Sequence, residues 1–124
     1  MSNLKNKRLS AYNRQQGKCC YCGFLMWIDT PDKFALDHRL SLDQAKHFQC
    51  TAEHLTARQD GGDNSSANIA AACSRCNRLR HTRKYPLDPI GYQKRVQMKL
   101  DKGRWLTLPT KASLVRGKVV QLSL

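Results

Sequence analysis

Apolar residues fall at helical spacing near both ends of the chain. Those at the N-terminus keep that spacing until Gly17, which predicts a helix over about 4–16. Towards the other end, Asp88 precedes a proline and a run with apolar residues every three to four positions, and Gly103 closes that run, which predicts a second helix. Residues 105–124 alternate only weakly, so they either add an edge strand or remain a mobile arm.

The middle of the chain alternates between strand-like and helix-like patterns. FLMWI at 24–28 is apolar and aromatic enough for a short strand, which the following segment DTPDK ends. Ser41 and Gln44 have the spacing of a capping box and predict a short helix. QCTAEHLTA at 49–57 alternates as a strand, RQDGGDNSS is turn chemistry, and SRCNRLRHTRK at 74–84 has helical spacing. The sequence therefore predicts an α+β domain built from short elements.

The balance of charge favours a polyanionic partner. Twenty-two Lys and Arg residues stand against nine Asp and Glu residues, so the 124-residue chain carries a net charge of +13. Such an excess attracts nucleic acid, and an anionic membrane surface is the competing partner. No apolar run approaches the length of a spanning helix, and no export signal follows the N-terminus. We therefore expect a soluble, cytoplasmic, single-domain protein that binds nucleic acid and no membrane.

Six cysteines in a chain without an export signal indicate metal binding rather than disulfides. Four of them form two C-x-x-C knuckles, the usual arrangement of a closed tetrahedral zinc site: Cys19 with Cys22, and Cys73 with Cys76. Cys20 competes with Cys19 for the first ligand position, although only Cys19 has the two-residue spacing to Cys22. Cys20 and Cys50 are then expected to be small buried apolar groups. A thiol core and an iron site of rubredoxin type are the alternatives to zinc.

A second group of residues has the types that phosphodiester hydrolysis needs, namely a base for water and ligands for a divalent cation. Glu53 and His54 are neighbours in a predicted strand, so their side chains point to opposite faces and could straddle one phosphate. Asn77 and His81 are four residues apart in the predicted helix and therefore share a face, and Glu53 could complete their set. Mixed oxygen and nitrogen ligands accept Mg²⁺, Mn²⁺, Ni²⁺ or Zn²⁺.

The order of these motifs resembles that of the HNH, or ββα-metal, endonucleases whose fold a four-cysteine zinc site holds together. GKCCYCG, EH, GG, NIAAAC and CN follow one another between residues 17 and 81, about half the chain. The resemblance implies a small zinc-stabilised HNH (His-Me finger) domain of the α+β class with flanking helices. The single domain, 1–124, would comprise the N-terminal helix, a catalytic core over about 17–84, and a basic C-terminal helix and tail over about 85–124.

The resemblance also implies a role for each site residue. His54 would be the general base, Glu53 a metal ligand, and Asn68 the amide that fixes the loop between the two strands. Asn77 occupies the position of the last histidine in the His-Asn-His motif, so this chain resembles an H-N-N variant. His81, one turn later, resembles the second helical histidine of colicin-type nucleases. The implied reaction is cation-dependent hydrolysis of DNA to 5′-phosphate and 3′-hydroxyl ends, with Mg²⁺ or Mn²⁺ favoured over Ni²⁺ or Zn²⁺.

Two other histidines and a set of cations need separate interpretations. Asp37-His38 is an acid-histidine pair too far upstream to match the motif, and His47 is expected on a helix surface. Six cations are expected to contact DNA phosphates with little sequence specificity, with a solvated helix face as the alternative: Arg58, Arg75, Arg78, Arg80, Arg83 and Lys84. Nothing in the sequence chooses between a monomer and a weak homodimer.

The alternative function is a non-catalytic zinc-ribbon module that binds nucleic acid through a basic face. It accounts for the cysteines and for the charge. It leaves unexplained why Glu53 and His54 precede the amide and imidazole of the predicted helix, which favours the nuclease.

Overall fold

A computed structural model describes residues 3–122 and shows a small α+β fold with two strands in one antiparallel sheet. In chain order the elements are α1 (Leu4–Arg14), α2 (Pro31–His38), α3 (Leu42–Lys46), β1 (Cys50–His54), β2 (Ile69–Cys73), α4 (Ser74–Arg80) and α5 (Pro89–Asp101). Cys50 lies opposite Cys73 and His54 lies opposite Ile69, so the sheet runs from the second knuckle to the loop that carries the Gly-Gly pair. This arrangement confirms the predicted fold class.

Strand β2 is the centre of the fold, and all five of its residues are buried. Its three alanines leave room for α1, whose last turn places the buried Gln15 along the free edge of the strand. The Gln15 amide donates to the carbonyl of Ala71 at 2.8 Å and accepts from the Ala71 N–H at 2.9 Å. The side chain therefore satisfies backbone groups that a third strand would otherwise bind.

The predicted strand at 24–28 is wrong. Within residues 3–122 this segment makes only isolated bridges, which pair Lys18 with Leu25, Phe24 with Arg116, and Trp27 with Gln49. The segment DTPDK, expected only to end that strand, also contains the start of α2, a helix that the sequence analysis did not predict and that has Pro31 in its first turn. Proline lacks only an N–H that the first turn leaves unpaired, so it favours a helix start as readily as a break.

The other helices follow the predicted pattern with shifted ends. The capping box before α3 is confirmed, because the Ser41 side chain accepts from the Gln44 N–H and the Gln44 side chain accepts from the Ser41 N–H. Helix α5 begins after Asp88, whose carboxylate accepts from the Gly91 N–H at 2.7 Å. Helix α4 ends at Arg80, four residues before the predicted end.

The C-terminal segment packs against the core and forms neither of the two expected structures. Gly117 donates its N–H to the carbonyl of Gly23 at 2.8 Å, and Arg116 pairs with Asp101 at 2.8 Å. Apart from its single bridge, the segment has no strand up to residue 122. None of the helices within 3–122 is both long enough and apolar enough to cross a membrane.

Candidate functional site

Four cysteines from three elements meet in the core. Cys19 and Cys22 lie in the turn after α1, Cys73 ends β2, and Cys76 lies in the first turn of α4. Their sulfur atoms all lie within 4.8 Å of one another, and the Cys22 and Cys73 sulfurs are 3.9 Å apart. A tetrahedral Zn²⁺ with bonds of about 2.3 Å would separate its sulfur ligands by about 3.8 Å. The four sulfurs therefore fit a structural zinc ion.

Backbone N–H groups point at the sulfurs of this cluster, as is usual where thiolates bind a metal. The Cys73 N–H donates to the Cys19 sulfur, and the Cys76 N–H donates to the Cys73 sulfur, both at 3.3 Å. Burial alone would raise the pKa of Cys19, but hydrogen bonds from neighbouring thiols lower that pKa well below its usual value. Negative charge is thus stabilised on Cys19, whereas the neighbouring thiols and burial raise the pKa values of Cys22 and Cys76 well above their usual range.

Cys20 and Cys50 are fully buried and lie outside the cluster, as the sequence predicts. The cluster contains the Cys19 sulfur and not that of Cys20, whose N–H bonds to the Ala71 carbonyl of β2. Burial raises the pKa of Cys50 to about 11, so this thiol stays protonated at neutral pH.

Glu53 is the most deeply buried acidic group, with 1% of its surface exposed. Its Oε1 lies 2.9 Å from Nε2 of His81, directly after α4. Its Oε2 accepts from the Tyr21 hydroxyl at 2.9 Å and from Arg80 Nη1 at 3.1 Å. The structure therefore brings together Glu53 and His81, which the sequence predicts as two ligands of one cation, and adds two partners that the sequence analysis missed.

Tyr21 is the more informative of those partners because it lies inside the first cysteine knuckle, between Cys19 and Cys22. Burial and the neighbouring Cys20 and Glu53 raise its pKa, so the phenol remains protonated and donates to the carboxylate. No local sequence signal distinguishes this tyrosine from a core aromatic residue. The contact spans 32 positions of the chain and depends on the fold.

Asn77 lies over the same face of β1 as His81, one helical turn earlier. Its amide nitrogen donates to Thr51 Oγ1 at 3.0 Å, and Thr51 and Glu53 are two residues apart on one strand face. Because the nitrogen is engaged by the strand, the amide oxygen is the atom that can bind a cation. The structure therefore places Glu53, Asn77 and His81 on one side of the sheet.

His54 follows Glu53 in β1 and its contacts run to the loop between the strands. Its Nε2 lies 2.7 Å from Oδ1 of Asn64, and Arg58 Nε approaches the same ring nitrogen at 3.5 Å. The shorter contact is the stronger one and requires a proton on Nε2, because an amide oxygen only accepts. In the neutral ring, Nδ1 then carries the lone pair that can accept a proton. Asn64 is a further partner that the sequence analysis missed.

Asn68 lies at the base of this loop and binds its backbone in three places. Its Oδ1 accepts from the Thr56 N–H at 2.8 Å, and its Nδ2 donates to the carbonyls of Thr56 at 3.0 Å and Asp63 at 2.8 Å. The loop is also restricted by Gly62, because a Cβ atom there would lie 1.7 Å from the Thr56 carbonyl oxygen. Asn68 and Gly62 therefore keep the loop between the strands, which contacts His54, in a single conformation.

The predicted phosphate-binding cations divide into three kinds. Arg58, Arg78, Arg83 and Lys84 are exposed. Arg75 is partly buried, donates to the Trp105 carbonyl and lies over the Trp105 ring. The prediction for Arg80 is wrong, because its side chain is 5% exposed and its donors bind buried acceptors. These acceptors are the Glu53 carboxylate and the carbonyls of His54, Leu55 and Leu87. The acid-histidine pair upstream lies in α2, where Asp37 pairs with Lys33.

Comparison with known protein families agrees with this geometry. The family model described as HNH endonuclease matches residues 19–83, which is just over half of the chain and includes both knuckles, both strands and α4. No curated protein and no solved structure matches the chain.

Proposed function

Because the chain belongs to the HNH endonuclease family, we propose that it is a DNA endonuclease that depends on a divalent cation. It hydrolyses phosphodiester bonds and leaves 5′-phosphate and 3′-hydroxyl ends. The observation that carries the proposal is the contact of 2.9 Å between Glu53 and His81. Glu53 lies on β1, the strand that also presents His54. A zinc ribbon that only binds nucleic acid has no need of a buried carboxylate facing an imidazole.

Glu53, His81 and Asn77 are the proposed ligands of the catalytic cation. Carboxylate and amide oxygens suit Mg²⁺ and Mn²⁺, and the imidazole also admits Ni²⁺ and Zn²⁺. A cation bound there would supply electrostatic stabilisation of the charge that develops on the phosphate and the leaving oxygen. His81 is 34% exposed whereas Glu53 is 1% exposed, so solvent and substrate would approach from the side of the histidine.

His54 is the proposed general base. With Nε2 bonded to Asn64, its Nδ1 would take a proton from the attacking water. Asn68 acts on this step indirectly, because it fixes the backbone of the loop that carries Asn64. Because Glu53 and His54 point to opposite faces of β1, Glu53 would bind the cation while His54 acts on the water.

Exposed arginines and lysines would hold the DNA backbone. Arg58, Arg78, Arg83 and Lys84 are the proposed contacts on the surface around the loop and α4. Contacts of this kind neutralise phosphates and carry no sequence information, so we expect little preference for particular bases.

Nicking of supercoiled plasmid tests the proposal. The zinc-loaded protein is assayed without added cation and then with Mg²⁺, Mn²⁺, Ni²⁺ or Zn²⁺, beside His54→Ala and Glu53→Gln. We expect nicking only with added cation, and a loss of about 100-fold or more in both variants. His47→Ala removes an exposed histidine elsewhere and should keep full activity. If all four proteins are equally inert with every cation while still binding DNA, the proposal fails and the binding module replaces it.

A further inference from the structure

A basic cleft lies between α4 and α5, next to Arg80, the buried partner of Glu53. It has a volume of about 280 Å³ and is walled by α4 and its C-terminal extension on one side and by α5 on the other, with Trp105 in its lining. Five cations that the Glu53 site does not use line it: Arg75, Arg83, Arg95, Lys99 and Arg104. No acidic side chain is present in this lining, among the residues that the structure describes.

Trp105 holds two of these cations in place. The Arg75 guanidinium lies 5.4 Å from the centre of its ring, and the Lys99 ammonium lies 5.9 Å from it. Tyr92 packs edge-on against the same ring at 6.1 Å. Because the indole is 8% exposed and fixed by these contacts, the charges around it are held close together before any ligand binds, despite their mutual repulsion.

Two donors in this lining have no acceptor within residues 3–122. The Nε1 atom of Trp105 and the Nε atom of Arg75 are buried and make no hydrogen bond. A buried N–H without a partner costs about 1–3 kcal/mol, so few are left in a folded protein without a reason. The clustered cations favour a ligand that is anionic and rich in acceptors, and the two unused donors lie on residues that line the same cleft.

We propose that the basic cleft is a second phosphate-binding site, which holds a backbone phosphate of the substrate nucleic acid away from the scissile bond. This inference rests on the proposed function. Arg80 lines the cleft and also bonds to Glu53 at 3.1 Å, so the cleft adjoins the proposed cation site. The phosphate held in the cleft would therefore belong to a nucleotide near the cut.

DNA binding by a variant that cannot cut provides the first test. In a His54→Ala background, Arg83→Gln with Arg104→Gln removes two exposed charges of the cleft, and Lys111→Gln with Lys118→Gln removes two exposed charges elsewhere. The affinity for a labelled duplex is followed by fluorescence anisotropy across a salt series. We expect the cleft variant to bind about tenfold more weakly and its salt slope to fall by about 1, and the control to keep the original slope. Equal slopes in the two variants would overturn the proposal.

Trp105 fluorescence provides the second test and separates a backbone phosphate from a free one. The chain has two tryptophans, so Trp27→Phe leaves Trp105 as the reporter. We expect its emission to change on addition of duplex DNA, and the change to disappear when Arg83 and Arg104 are replaced. A response to inorganic tripolyphosphate without any response to DNA would overturn the assignment to the substrate. If no cation supports nicking but DNA binding still depends on the cleft, the proposed function is rejected and the cleft remains supported as a phosphate-binding site.

Discussion

The hydroxyl of Tyr21 donates to Oε2 of Glu53 at 2.9 Å, and this one contact joins the two halves of the candidate site. Tyr21 belongs to the first cysteine knuckle, and Glu53 is the buried carboxylate of the proposed cation site. The four-cysteine cluster would therefore position a group beside the proposed chemistry in addition to stabilising the fold. Replacing a residue that orients a metal ligand commonly lowers metal affinity or activity by about 10–100-fold.

Tyr21→Phe should weaken the catalytic cation without releasing zinc. The ring keeps its packing, but Oε2 loses a donor, so we expect the concentration of Mg²⁺ or Mn²⁺ needed for half-maximal nicking to rise about tenfold. Tyr12→Phe is the matched control, because that hydroxyl bonds to the Met26 carbonyl at 3.3 Å, away from the site. An unchanged cation requirement in Tyr21→Phe would show that the hydrogen bond does not orient the carboxylate.

Substitution by serine should have different effects on zinc binding at the adjacent residues Cys19 and Cys20. Cys19→Ser removes a sulfur from the metal cluster, whereas Cys20→Ser alters a buried group outside it. We expect Cys19→Ser to lose bound zinc and its cooperative unfolding transition, because a structural zinc site contributes directly to folding. Cys20→Ser should retain one zinc per chain, measured by elemental analysis. Full zinc retention by Cys19→Ser would mean that the ligand is misassigned.

Arg80→Met should destabilise the fold and should not simply weaken DNA binding. The substitution removes the charge that pairs with Glu53 at 3.1 Å, and both side chains are almost fully buried. Breaking a buried ion pair on one side costs about 3–5 kcal/mol, which urea unfolding would measure as a lower free energy of unfolding. Arg78→Met, at an exposed position of the same helix, should change that free energy by less than about 0.5 kcal/mol. The interpretation of Arg80 as structural is wrong if both variants are equally stable.

Substitution by alanine should have different effects at the neighbouring residues Gly61 and Gly62. At Gly62 a Cβ atom would overlap the Thr56 carbonyl that Asn68 binds, so the loop must move and we expect nicking to fall by about 100-fold. At Gly61 the space is open and only its φ of 91° disfavours alanine, which should cost about 1 kcal/mol of stability. Rates and unfolding free energies are measured for both variants, and a similar loss of activity in the two would contradict this distinction.

The sequence predicts those parts of the structure that depend on local spacing. Two C-x-x-C pairs identify the metal cluster, and the capping box of Ser41 identifies α3, because each signal lies within a few residues. Helical spacing likewise predicts that His81 shares a face with Asn77. The expectation that this face meets Glu53, 28 positions away, depends on the resemblance to the HNH nucleases and not on local spacing.

What the sequence does not predict depends on contacts between distant segments. Nothing near Arg80 indicates that it would be buried against Glu53, whereas its basic neighbours are exposed. The same holds for Tyr21, and for Asn64, which is one of several polar residues in a turn. The apolar run at 24–28 has the composition of a strand but lacks a partner strand beside it, so it forms bridges only.

Helix α5 lies beyond the last residue matched by the family model, yet it binds both cysteine knuckles. Gln93 and Gln97 donate to the carbonyls of Cys20 and Tyr21 at 2.6 Å and 2.7 Å, and the Tyr92 hydroxyl donates to the carbonyl of Cys76 at 2.8 Å. The recognisable motif and the set of segments packed on the cysteine knuckles therefore have different boundaries. A fragment cut to the motif alone would leave these three carbonyls without their donors, although neither glutamine touches a sulfur atom.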